Sequence, residues 1–163
     1  MIAEQFIKQF KPIAEIIQNQ TGISALAILA QSALETGWGT KVKGNSYFGI
    51  KAKNGILIRT TEISSKPDLH FPEIYSVTKF KDETGKIKYK YDVKTYFAAY
   101  ATPFDSFLGY ADFIQSNPRY AKALAVKSNP DRYLVEVARA GYATGLNYEK
   151  SVLEVLESVK KRI

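Results

Sequence analysis

The sequence predicts an α+β fold, mainly helical, with a small antiparallel β-lobe inserted in it. Three observations carry that prediction. Apolar residues recur at helical spacing toward both ends of the chain, the stretch of about residues 55–97 changes to a two-residue alternation, and no repeat, linker or low-complexity run divides the parts. The organisation expected is one domain, 1–163, with an α-lobe of 1–54 and 98–163 and a β-lobe of about 55–97. A groove between the lobes is the natural place for a ligand. A chain of 163 residues can bury a sizeable core, and its 45% hydrophobic content excludes general disorder.

The elements can be justified in order. Phe6, Ile7, Phe10, Ile13, Ala14, Ile16 and Ile17 mark one face of a helix, and Pro12 predicts a break or restart near Lys11–Pro12. Gly22 ends that segment and Ser24 can cap the next. From about Ala25 to Glu35 the residues are apolar on nearly every side, broken only by Gln31 and Ser32, so this helix is expected to be buried. Residues 56–63 are β-branched and read as a strand. A Pro-containing loop, Ser64–Pro72, precedes strands at 74–81 and 86–93, which Asp82-Glu83-Thr84-Gly85 joins as a hairpin. The last of these alternates Lys or Asp with apolar residues, predicting one aromatic and one basic face. Helical patterning returns after Thr102-Pro103, a cap with proline at the first position. Short helices follow over 120–126 and 131–141, the latter capped by Asn129 or Asp131. The last helix runs from Tyr148 to Ile163.

Composition narrows the chemistry. There is no cysteine, which removes disulfides, thiol nucleophiles and thiolate metal sites, and the single His70 leaves little room for a catalytic triad or a histidine metal site. No metal or cofactor is expected, and any catalysis falls to carboxylates. The net charge of +7 suggests an anionic partner. The N-terminal residues lack the pattern of a signal peptide, and the apolar run in 25–34 is too short to span a bilayer, so membrane insertion is not expected. Glu35 stands out. It closes the buried helix and is followed by Thr36-Gly37-Trp38-Gly39, where the glycines permit a sharp reversal and Trp38 is expected to sit beside the carboxyl. A carboxyl at the rim of an apolar core loses hydration and holds its proton to higher pH, the condition for a general acid. On local chemistry alone, a solvated Glu in a last helical turn is the alternative.

Residues 30–39, Ala-Gln-Ser-Ala-Leu-Glu-Thr-Gly-Trp-Gly, and 45–52, Asn-Ser-Tyr-Phe-Gly-Ile-Lys-Ala, resemble the signature of the bacterial β-N-acetylglucosaminidases of glycoside hydrolase family 73. These include flagellar muralytic domains, autolysins and phage lysins. Further matching blocks are Thr21–Ile23, Tyr100–Ser106, Asn117–Tyr120 and Ala140–Thr144, so the resemblance covers nearly the whole chain in order. It implies a lysozyme-like fold and hydrolysis of the bond from N-acetylglucosamine to N-acetylmuramic acid in peptidoglycan, at the bacterial cell wall. It gives Glu35 the general-acid position. A second carboxylate is implied in a Thr-x-Glu setting, which Glu62 fits, while 64–76 looks like an insertion from which Glu73 could align instead. Tyr142 matches a tyrosine near the catalytic Glu, where its phenol could bond the acid or the sugar. Trp38, Asn45, Tyr47 and Phe48 are candidates for substrate binding, with core packing the alternative for Tyr47 and Phe48 and termination of the turn after Gly44 the alternative for Asn45; of these, Phe48 is expected in the core and Tyr47 or Trp38 in the groove. The partners expected are peptidoglycan glycan strands and, through the lysines of the β-lobe, anionic wall polymers. Nucleic acid is not expected, since no nucleic-acid motif accompanies those lysines, and the chain is expected to act as a monomer. A muramidase or lytic transglycosylase on the same fold, or a non-catalytic wall-binding module, remain open as alternatives.

Overall fold

The computed structural model describes all 163 residues. Helix α1, Ala3–Thr21, buries Phe6, Ile7, Phe10, Ala14 and Ile17. It runs without interruption through Pro12, contrary to the expected break. Pro12 and Lys8 are both exposed, so the ring sits on the solvent face and the Lys8 carbonyl that loses its donor can turn to water. Gly22, at φ 80°, returns a hydrogen bond to Gln18 and stops the helix.

Helix α2, Ala25–Thr36, is the element around which the α-lobe packs. Ser24 caps it through the Ala27 amide, and residues on all its sides are buried, including Gln31 and Ser32. Gly37 ends it in a left-handed turn at φ 55°. Around α2 lie α1 and three later elements: α3 (Pro103–Ser116), α5 (Pro130–Arg139) and α6 (Tyr148–Lys160), with a short turn of 3-10 helix and the four-residue α4 (Ala121–Leu124) between α3 and α5. The caps fall where the polar residues predict. Thr102 accepts from Asp105 and Asn129 from Arg132, which makes Asn129 the cap of α5. One aromatic seam, Phe10, Tyr47, Phe107, Phe48 and Tyr110, joins α1, the loop after α2 and α3.

The β-lobe is a three-stranded antiparallel sheet in the order β1 (Lys51–Ser64), β3 (Ile87–Phe97), β2 (Glu73–Lys81). β1 begins at Lys51, before the expected start near Gly55. An irregularity between Lys51 and Ile56 leaves both residues opposite Phe97, and Gly55 lies so close to the Phe97 carbonyl that no side chain fits there. The hairpin loop closes as expected, with the Asp82 carboxylate accepting from the Thr84 and Lys86 amides. Along β3 the alternation separates Tyr89, Tyr91 and Val93 from Lys88, Lys90 and Lys94. β2 does not share that division, because the register shifts between Ile74 and Ser76 and nearly the whole strand is exposed. The loop before β2 folds back onto Tyr91, whose hydroxyl donates to the Lys66 carbonyl and accepts from the Leu69 amide. The chain enters and leaves the lobe side by side, where the Ala98 amide donates to the Ile50 carbonyl at 2.7 Å.

Candidate active site

Glu35 occupies the last turn of α2, half-buried at the wall of the groove between the lobes. Burial raises its carboxyl from the ordinary 4.5 to about 7, opposed only by the polar influence of the neighbouring Tyr148 hydroxyl. Two features of the chain produce that setting. Gly49 has φ 64°, and a side chain there would begin 2.8 Å from Glu35 Oε2, so only glycine lets the loop close over the carboxyl. Tyr142 and Tyr148 stack at 6.0 Å, and burial together with the neighbouring Glu35 charge raises both phenols. They remain neutral, so they place no charge beside Glu35.

The opposite wall is built by the sheet. Glu62 on β1 is 6% exposed, ion-paired with Lys51 at 2.6 Å, and accepts from the Thr144 hydroxyl at 2.9 Å. Glu35, Glu62, Lys51, Tyr142 and Thr144 line one cavity of about 170 Å³. A neighbouring cavity of about 580 Å³ extends from Glu35 past Lys41, Lys43, Ser46, Ile58 and Arg59. Glu73 is elsewhere, exposed at the start of β2 and 3.8 Å from Lys94. Of the two candidates for a second carboxylate, only Glu62 shares a cavity with Glu35. Tyr142 lies beside Glu35, but its hydroxyl donates to the Phe48 carbonyl at 2.5 Å rather than to the acid.

The structure places the four candidates for substrate binding as follows. Trp38 takes φ 58° and packs edge-on against Phe6 at 5.8 Å, under Arg162. Its ring packs on the α1 side, against Phe6. Tyr47 is buried between Phe10 and Phe107, at 4.9 and 5.9 Å, and does not line the groove. Phe48 is core, stacked on Tyr110 at 4.3 Å. Asn45, at φ 52°, donates to the carbonyls of Tyr100 and Ala101, both at 3.1 Å, and fastens the loop where the lobes meet. Tyr47 and Phe48 are buried in the α-lobe core, whereas Trp38 and Asn45 are half-buried.

Reasoning from sequence missed Lys41, Lys43, Lys51 and Thr144 in the groove, and also a buried polar chain behind it. Gln31 Nε2 donates to the Tyr148 hydroxyl at 3.1 Å, Tyr110 donates to Gln31 Oε1, and the Tyr110 and Tyr133 hydroxyls lie 2.6 Å apart. The signal was present: a glutamine inside an otherwise apolar buried helix must find partners. No group of three or more acidic or histidine side chains is placed to hold a metal ion, and no helix is long and apolar enough to cross a membrane.

A helical lobe and a small sheet with carboxylates on facing walls define the architecture of the lysozyme-like glycoside hydrolases. Residues 11–161 match the glucosaminidase family, described as mannosyl-glycoprotein endo-beta-N-acetylglucosaminidase, and the chain belongs to that family. It is 31% identical over 166 residues to peptidoglycan hydrolase FlgJ of Vibrio parahaemolyticus, an alignment covering 96% of this chain and 47% of that protein. It is 34% identical over 160 residues to the Vibrio cholerae FlgJ, covering 92% and 42%. The chain thus spans about half the length of the curated relatives it matches. Among solved structures, the glycoside hydrolase domain of Salmonella typhimurium FlgJ superposes with a TM-score of 0.64 at 26% identity, covering 99% of this chain and 90% of that one.

Proposed function

We propose that this chain is a peptidoglycan hydrolase, an endo-β-N-acetylglucosaminidase that cleaves the bond from N-acetylglucosamine to N-acetylmuramic acid with Glu35 as general acid. The observation that carries this reading is the setting of Glu35, a carboxyl kept protonated to about pH 7 on the wall of a groove. Protonated, it can give its proton to the leaving glycosidic oxygen as the bond breaks. Glu62 is the candidate to activate water from the facing wall, with Lys51 and Thr144 holding its carboxylate in place. Tyr142 holds the loop at Phe48 against Glu35 and keeps water from the acid. Lys79, Lys81, Lys86 and Lys90 are exposed on the hairpin and suit the phosphates and carboxylates of a bacterial wall, where the enzyme would act.

The test is to digest purified peptidoglycan with the wild type and with Glu35→Gln, reduce the products with borohydride and identify the reduced sugar by mass spectrometry. Reduced N-acetylglucosamine ends that vanish in the variant support the reading. Reduced muramic ends would make the enzyme a muramidase, anhydro-muramic ends a transglycosylase, and wall binding without products a binding module.

A further inference from the structure

We propose that Lys41 and Lys43 are specificity-determining residues that seat the acidic muramyl sugar on the leaving side of Glu35, and so decide which of the two alternating bonds is cut. The inference deepens the reading of Glu35 as acid and Glu62 as base, and it rests on that reading.

The groove is a pair of cavities with a common waist. Glu35, Gly49, Thr60 and Phe97 line both of them. On one side of the waist is the cavity of about 170 Å³, which Glu62 lines together with Glu35. On the other is the cavity of about 580 Å³, of which Glu62 is not part. In an acid–base hydrolysis, water adds its hydroxyl to C1 and loses a proton to the base, while the acid gives its proton to the departing oxygen. The sugar whose C1 is attacked therefore lies between the two carboxyls, in the smaller cavity. The sugar that leaves, keeping the bond oxygen as its new hydroxyl, lies beyond the waist in the larger one.

The two cavities differ in charge. In the smaller, Lys51 is spent on Glu62 at 2.6 Å. In the larger, Arg59 is spent on Asp92 through bonds of 3.0 and 2.9 Å, with its guanidinium 3.9 Å from the centre of the Tyr75 ring. Lys41 and Lys43 line the larger cavity and take part in none of the chain's ion pairs. Their side chains are exposed, but the backbone that carries them is fixed. The Lys41 amide donates to the Thr36 carbonyl at 2.9 Å, and the Lys43 carbonyl accepts from the Ser46 amide at 3.0 Å. Uncommitted cations held at one end of a groove favour an anion there.

In a strand that alternates N-acetylglucosamine with N-acetylmuramic acid, only the muramyl sugar offers an anion. Its O3 bears a lactyl acid or, in the intact wall, the acidic peptide joined to that acid. A muramyl sugar seated against Lys41 and Lys43 leaves N-acetylglucosamine in the smaller cavity. The bond across the waist is then the one from N-acetylglucosamine to N-acetylmuramic acid. A strand shifted by one sugar would set a neutral residue against the lysines and bring the acidic group toward the Glu62 carboxylate.

The test is kcat and KM on glycan strands whose muramyl carboxylates are free or methyl-esterified, with peptide-bearing and peptide-free strands as separate arms. The proteins are the wild type, the double variant Lys41→Met with Lys43→Met, and Lys8→Met, which removes an exposed charge on α1 away from the groove. The wild type should prefer the free acid by about tenfold in kcat/KM, chiefly through KM, as two solvent-exposed ion contacts imply. A preference in either arm supports the seating, and the arm tells whether the lactyl acid or the peptide supplies the anion. The double variant should lose most of that preference, and Lys8→Met should keep it. No preference in either arm, a preference that survives the double variant, or one that Lys8→Met lowers equally overturns the proposal. Reduced muramic ends from the wild type overturn it as well. Glu35→Gln in the same assay separates the two levels. If it is inactive while the preference survives the double variant, only the seating falls; if it remains active, the general-acid reading falls.

Discussion

The two walls of the groove treat a carboxylate in opposite ways. On the helical wall Glu35 is surrounded by glycine backbone and neutral phenols, with no ion pair, and desolvation lifts it to about 7. On the sheet wall Glu62 is more deeply buried, yet it has a lysine at 2.6 Å and a hydroxyl at 2.9 Å. Burial alone therefore does not decide what a carboxyl does; its partners do. The proposed pairing of Glu35 as acid with Glu62 as base draws on that difference in partners.

The largest effect expected is the loss of activity in Glu35→Gln, about a thousandfold in the release of reducing ends, because the amide cannot protonate the leaving oxygen. Retention of activity there would remove the contrast altogether. The same substitution has a stability signature of opposite sign. A carboxyl whose folded value lies above its unfolded value contributes fully below pH 4.5, and that stability is lost as pH rises toward 7. Glu35→Gln should thus unfold at a higher temperature than the wild type at pH 8, by about 3 kcal/mol in free energy, with little gain at pH 4. Calorimetry at the two pH values checks it, and equal melting points at pH 8 would mean the helical wall does not strain its carboxyl.

Glu62→Gln should lower kcat about a hundredfold if the sheet wall supplies the base, measured with the same end-group assay. Near-normal activity would leave Glu62 as part of the wall and return the second step to the substrate's own acetamido group. The smallest change expected is in Lys51→Met. A half-exposed ion pair is worth about 1 kcal/mol, so activity should drop about fivefold. A loss equal to that of Glu62→Gln would instead show that the lysine touches substrate.

Much of this arrangement was legible in the sequence. The all-round apolar run of α2 and its Ser24 cap, the Thr102-Pro103 start of α3 and the Asp82–Gly85 loop each follow from local chemistry, and local chemistry survives folding. So does the rise in the carboxyl of Glu35. What was hidden depends on the direction of side chains where the chain leaves a regular period. Trp38 and Asn45 take positive φ, which turns their side chains away from where an α or β reading would point them. Tyr47 reads as a groove residue or as core packing until Phe10 and Phe107 arrive from distant segments. Pro12 reads as a helix breaker because sequence does not show that the Lys8 carbonyl faces water. The partners of Gln31 lie about as far along the chain as Tyr110 and Tyr148, beyond the reach of any local pattern.

The joint at Ile50 and Ala98 has a consequence for how this chain could have come about. Because the strands enter and leave at adjacent, hydrogen-bonded positions, everything between them can be lengthened, shortened or exchanged while the helical scaffold keeps its connectivity. Residues 51–97 form a cassette: Glu35 belongs to the host, Glu62 to the insert. A lineage of such proteins could therefore trade one wall of its groove for another by recombination at a single seam, retuning attachment and the second carboxylate without rebuilding the first.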